Sequence, residues 1–192
     1  MTHIQTLNPA TETPLQTYAF MPKSTYLKRI EQAEAARAQW LKVPLPQRCD
    51  LFQNVITLLS KHEQTYATCI TQEMGKPISQ ALNEVRKCAT LCTYYAEQAE
   101  TLLAPEFIQT NYQKSYKTFE PIGLILGIMP WNFPFWQVFR FLVPNILLGN
   151  GILLKHAPNV TGCALMIEGL MKEAGFPEGL FSTLVIDVAE VP

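Results

Sequence analysis

The chain has 192 residues, 48% of them apolar and 16% charged, with a formal net charge of −1. That length supports one sizeable core, or a core with a small appendage, and the apolar fraction is that of a globular domain. The near-neutral balance gives nothing that favours nucleic acid or an anionic membrane as partner.

Charge is unevenly spread. Residues 1–120 carry 12 basic and 11 acidic groups, whereas residues 121–192 carry 3 and 5, so the second part is expected to be the more buried. The five cysteines (49, 69, 88, 92 and 163) are odd in number and fall mostly in helical stretches. That pattern suits a reducing compartment rather than a disulfide framework. The opening MTHIQTLNPATETPLQ lacks the basic start and apolar block of a secretory signal. A cytoplasmic protein is expected.

Residues 4–20 alternate weakly between prolines and predict a short hairpin or edge strand. A helix follows with Ser24 or Thr25 as its cap, ended by Pro44 and Pro46. Leu51, Val55, Leu58 and Leu59 predict a second helix from about Gln47, running with a break to Met74, where Gly75-Lys76-Pro77 stops it. A third covers Ser79 to Leu103, with Leu82, Val85, Ala89, Cys92 and Ala96 inward.

The period then changes. TNYQKSYKTFEPIG predicts a strand or hairpin, and IGLILGIM a strand buried on both faces of a parallel sheet. After Pro130-Trp131-Asn132-Phe133-Pro134 comes a helix over about 135–148, then the strand ILLK. Next come a helix capped by Asn159 or Thr161 and ended by Gly175, and a third strand, GLFSTLVI. Strand, helix, strand, helix, strand is half of a doubly wound parallel sheet. The expectation is a domain cut in its middle.

The uncharged run from Pro121 to Phe139 is almost long enough to span a membrane. Pro130 and Pro134 would break it, and Asn132 and Arg140 would lie in lipid, so a buried core or a site is the expected reading. Asn132 sits in a loop after a parallel strand. Its amide either caps the next helix or donates to charge developing on a substrate oxygen. Lys155, at a strand end, either reaches a ribose or phosphate or simply snorkels. No Gly-x-Gly-x-x-Gly follows either strand. Cys163 is a weak candidate nucleophile at a helix start. Cys88 and Cys92 share a helix face without a metal partner set, and His3, His62 and His156 are read as surface or packing residues.

The run EPIGLILGIMPWNFPFWQVFRFLVPNILLGNGILLKHAPNVTGCA, with EAGFPEGLFSTL after it and EMGKP at 73–77, resembles the aldehyde dehydrogenase superfamily. It looks most like the bacterial NAD-dependent succinate semialdehyde dehydrogenases. The resemblance covers nearly the whole chain. It implies an α/β fold of aldehyde dehydrogenase type, with an incomplete Rossmann-like parallel sheet preceded by N-terminal helices and a hairpin. Residues 1–120 would form the helices and an oligomerisation hairpin. Residues 121–192 would form the first half of an NAD(P)-binding domain, with the catalytic domain absent.

By the same resemblance Asn132 is the oxyanion-hole amide. Met129, Pro130 and Trp131 wall the nicotinamide-side ribose, and Lys155 binds the adenosine ribose. Arg140 takes the distal carboxylate of the substrate, unless it merely pairs with Glu120 or Glu168, and Phe133 and Trp136 line the substrate side. Pro158 stands where many NAD-specific members have an acid, which implies use of NAD or NADP. Phe141 replaces a common basic residue, for which the sequence offers no reading. The implied function is oxidation of an aldehyde, with succinate semialdehyde first, by a chain that lacks the nucleophilic cysteine and is inactive alone. The alternative is a non-catalytic remnant or assembly module. A homo-oligomer, or association through exposed strand edges, is implied. No metal, nucleic acid or membrane is implied.

Overall fold

A computed structural model of the chain describes residues 2–191. It opens with an antiparallel hairpin, β1 (His3–Leu7) and β2 (Pro14–Ala19). Ile4 and Thr6 of β1 turn inward between exposed neighbours, as a two-residue period requires. The first helix, α1 (Lys23–Trp40), starts behind Pro22, not at a hydroxyl cap. Ser24 and Thr25 lie inside its first turn, and Pro22 O accepts from the amides of Thr25 and Tyr26. The prolines expected to end α1 instead begin α2 (Leu45–Lys61). Pro44 holds the cap position and Pro46 the first turn, where a missing N–H costs nothing. His62 breaks α2 from α3 (Glu63–Met74), and Gly75, at φ 78°, closes α3. Behind Pro77 runs α4 (Ile78–Leu103). Its buried stripe is Ala81, Glu84, Val85, Cys88, Cys92 and Ala99, so Leu82, Ala89 and Ala96 flank the contact.

A two-residue ladder follows, β3 (Glu106–Phe107) against β4 (Tyr116–Lys117), exposed throughout and tied by a Glu106–Lys117 ion pair. The remainder is the parallel unit: β5 (Leu124–Met129), α5 (Trp136–Leu148), β6 (Gly151–His156), α6 (Thr161–Glu173) and β7 (Phe181–Thr183), with strand order β5-β6-β7. β6 and the short β7 are buried along their whole length. The expected double burial of β5 fails because β5 is an edge strand, and Ile122, Leu126 and Ile128 face outward.

The layers follow from the side-chain alternation of β6. Leu153 points to α1, packing with Ala33 and Leu184, while Ile152 and Leu154 point into the larger core shared with α5 and α6. Outside α5 and α6 lies a second helical layer, α2, α3 and α4. One core therefore runs from Trp40 and Phe52 through Phe139 to Ile152. Among the described residues no helix is long and apolar enough to cross a membrane.

Candidate functional site

Parallel strands end on one edge, so the turn after β5 and the turn after β6 are neighbours. Residues 130–134 form the first. Its base rests on β6: Ala157 donates to Met129 O at 3.0 Å, and His156 Nε2 donates to Pro134 O at 2.9 Å. His156 Nδ1 accepts from the Ala157 amide at 2.9 Å, which fixes that tautomer. Burial holds the His156 pKa below its ordinary value. It is a packing residue, as expected.

The outer layer clamps the turn from the other side. Lys76 Nζ donates to Asn132 O at 3.1 Å, lies 3.8 Å over the Phe133 ring, and forms a buried ion pair with Glu84. Glu84 Oε1 accepts from the amides of Phe135 and Trp136, at 2.9 and 3.0 Å. The N-terminus of α5 is thus closed by a carboxylate from α4, which also suits the helix dipole. At the other end Arg48 donates to Leu147 O and Trp40 Nε1 to Ile146 O, both at 2.8 Å. Asn132 makes no side-chain cap bond. It is exposed, on a turn held from both sides.

The predicted cofactor residues gather here. Met129 is half-buried, and Pro130 and Trp131 are exposed. Trp131 lines a cleft of about 790 Å³ with Asn8, Pro9, Glu73, Met74 and Asn159. Ile128 lies opposite Lys155 in the register. Lys155 is only 4% exposed, and its one polar partner among the described residues is His156 O at 2.9 Å. Burial lowers its pKa, against the pull of Asp187. An ammonium has three N–H donors. Two remain for a ligand, so the donor set fits a ribose hydroxyl or a phosphate of a dinucleotide. Pro158 opens an exposed turn before α6 and offers no charge.

The substrate-side residues are less convergent. Phe133 lies within the turn and is exposed, and Trp136 is half-buried beneath Lys87 Nζ, 4.0 Å from its ring. Arg140, on α5, is exposed. Its guanidinium stands 5.9 Å from the Trp136 ring. It has no carboxylate partner among the described residues, and Glu168 pairs with Arg29. Phe141 packs over Gly127, where a Cβ would come within 2.7 Å of its ring.

Several functional residues escaped the sequence reading. Glu73, at the end of α3, accepts from the amides of Gly162 and Cys163 at 2.9 Å each, and so caps α6. Asn159 and Thr161, the expected caps, do not. Thr161 Oγ1 turns back to Pro158 O. Lys76 and Glu84 were equally unassigned. The available signal was a charged residue at 84 in line with Ala81, Val85 and Cys88 on an apolar helix face. Cys163 is fully buried, and burial drives its thiol pKa well up despite the helix start, so no substrate reaches it.

A parallel sheet with βαβ crossovers and polar groups gathered at its carboxyl edge defines a Rossmann-like α/β protein. The comparisons narrow this: the chain belongs to the aldehyde dehydrogenase family, whose model matches residues 1–191. A probable succinate-semialdehyde dehydrogenase [NADP(+)] of Synechocystis is 43% identical over 183 residues, covering 95% of this chain and 40% of that protein. The succinate semialdehyde dehydrogenase [NAD(P)+] of Escherichia coli is 41% identical, covering 97% and 40%. The succinic semialdehyde dehydrogenase of Streptococcus pyogenes, solved with NADP+, superposes with a TM-score of 0.94 at 32% identity, over 98% of this chain and 42% of that one. The chain spans about 40% of the length of the curated relatives it matches.

Proposed function

We propose that these residues form the first part of an NAD(P)+-dependent aldehyde dehydrogenase of succinate-semialdehyde type. In this reading residues 1–120 supply helices and an association hairpin, and residues 121–192 the first half of the cofactor domain. The nucleophile and general base come from outside these residues. The observation that carries the reading is the turn itself: an exposed amide at Asn132, in a turn fixed by the Lys76–Glu84 clamp, beside an under-partnered buried Lys155.

Each residue then has a task. The Asn132 amide donates to the oxygen of the attacked aldehyde as it gains charge. The turn is already fixed, so little reorganisation is needed. Lys155 donates to ribose hydroxyls, and Met129, Pro130 and Trp131 wall the sugar. The dinucleotide supplies the hydride acceptor when bound. Pro158 has no carboxylate to repel a 2′-phosphate, so both NAD and NADP are used. Arg140 receives the distal carboxylate of the substrate once further chain covers α5. The exposed Phe107, Tyr116 and Ile122 favour association of copies through this side.

The test uses the chain alone and the chain joined to a C-terminal segment of the length its relatives carry. Only the joined protein should form NADH or NADPH with succinate semialdehyde. No turnover in either would favour a non-catalytic assembly module. In the joined protein, Arg140→Ala should cost about 2–4 kcal/mol with the acid-bearing aldehyde, chiefly as raised KM, and far less with an acid-free aldehyde of similar length. Equal losses would remove the semialdehyde assignment.

A further inference from the structure

Cys69 of α3 and Cys163 of α6 meet where those helices pack, with Sγ atoms 3.7 Å apart. Cys69 Sγ donates to Glu73 Oε2 at 3.8 Å. Cys69 is half-buried and is the more accessible residue of the two, while Cys163 has no exposed surface. Neither thiol takes part in the proposed reaction. The corner is closely built: a Cβ at Gly162 would lie 2.6 Å from Glu73 Oε1 and 2.9 Å from Tyr18 Oη.

We propose that Cys69 and Cys163 are an oxidation site, forming a reversible disulfide in response to a peroxide. The sulfur atoms need to approach by about 1.7 Å to reach bonding distance, a movement within reach of side-chain rotation. Cys69 passes its proton towards Glu73 and attacks a peroxide oxygen. The O–O bond breaks, and the leaving hydroxide takes up that proton as water. The Cys163 sulfur then attacks the sulfenic sulfur of Cys69. The S–O bond breaks, and the departing hydroxide leaves as water with the Cys163 proton. Two thiols lose two electrons, and one peroxide becomes two waters.

The other thiols do not share this arrangement. Cys88 and Cys92 are wholly buried on one face of α4, out of reach of an oxidant. A metal is the rival occupant, since Cys69, Glu73 and Cys163 offer ligand atoms within 4.8 Å of one another. Both Glu73 oxygens already hold α6 amides, however, and a structural zinc takes four ligands. The disulfide would tie α3, which carries Glu73 at its end, to the first turn of α6.

The experiment treats the reduced, purified protein with hydrogen peroxide under native conditions, blocks the remaining thiols and maps the peptides by mass spectrometry. The expected result is a Cys69–Cys163 linked peptide in most molecules, reversed by a dithiol, with Cys88 and Cys92 still free. Cys163→Ser should leave Cys69 as a sulfenic acid that dimedone traps, and Cys69→Ser should leave Cys163 unoxidised. The mapping of the unaltered protein stands even if a variant does not fold. Over-oxidation of Cys69 without pairing would overturn the proposal. So would thiols that resist peroxide until a chelator removes bound zinc.

Discussion

The two crossover helices are each closed at the N-terminus by a glutamate from the outer layer. Glu84 receives the amides of Phe135 and Trp136, and Glu73 those of Gly162 and Cys163. The company differs. Glu84 has Lys76 against it, whereas Glu73 has two thiols and Tyr18, and no cation among the described residues. Burial accordingly raises the Glu73 pKa, and burial first, then Glu73, lifts the Tyr18 pKa to about 12. One cap is electrically balanced and holds the Asn132 turn. The other is left with groups that titrate and oxidise. A short segment serves both: Glu73 caps α6, Gly75 turns against Pro9, Lys76 clamps the Asn132 turn and Pro77 starts α4.

Making the same substitution at each cap sharpens that contrast. Glu84→Gln leaves the Lys76 charge buried without its partner and should cost about 3–5 kcal/mol in urea unfolding. Adding Lys76→Met should recover part of the loss. A loss below that of the Glu73 variant would break the distinction between the caps. Glu73→Gln removes one acceptor and strands one amide, a cost of about 1–3 kcal/mol.

The pH dependence separates the two further. The folded state holds the Glu73 proton more tightly than the unfolded chain, because its pKa lies above the ordinary 4.5. Its contribution to stability is therefore full below pH 4.5 and falls as pH rises through the folded pKa. Glu73→Gln should remove that slope. His156, bonded to both turns, has the opposite sign. Its pKa lies below the ordinary 6.5, so its contribution is full above pH 6.5 and is lost as pH falls through the folded pKa. The slope cannot exceed about 1.4 kcal/mol per pH unit for one proton. His156→Gln should flatten it in thermal scans between those pH values, and an unchanged slope would assign the acid sensitivity elsewhere.

Much of this fold was legible in the sequence. Periodicity located three N-terminal helices, the second with a break that separates α2 from α3, and the strand-helix-strand-helix-strand order, because each rests on a repeating apolar face. The Pro-Trp-Asn-Phe-Pro turn and Lys155 stood out as polar groups at the ends of apolar runs. Helix starts were misread wherever a proline or a distant carboxylate replaced the local hydroxyl, as at Ser24 and Thr161. Glu73 and Glu84 act 89 and 51 residues along the chain from their partners Gly162 and Phe135, a separation that local pattern does not encode. The outward face of β5 was hidden too, since Leu-Ile-Leu-Gly-Ile-Met reads alike for a central strand and for an edge.

The role of Asn132 is tested most directly by Asn132→Ala in the protein joined to its relatives' full length. The expected result is a fall in kcat for succinate semialdehyde of about 100–1,000-fold, the loss typical of one oxyanion donor, with cofactor affinity and urea stability unchanged. A variant that keeps its kcat while remaining folded would contradict the assignment of this turn as the oxyanion site.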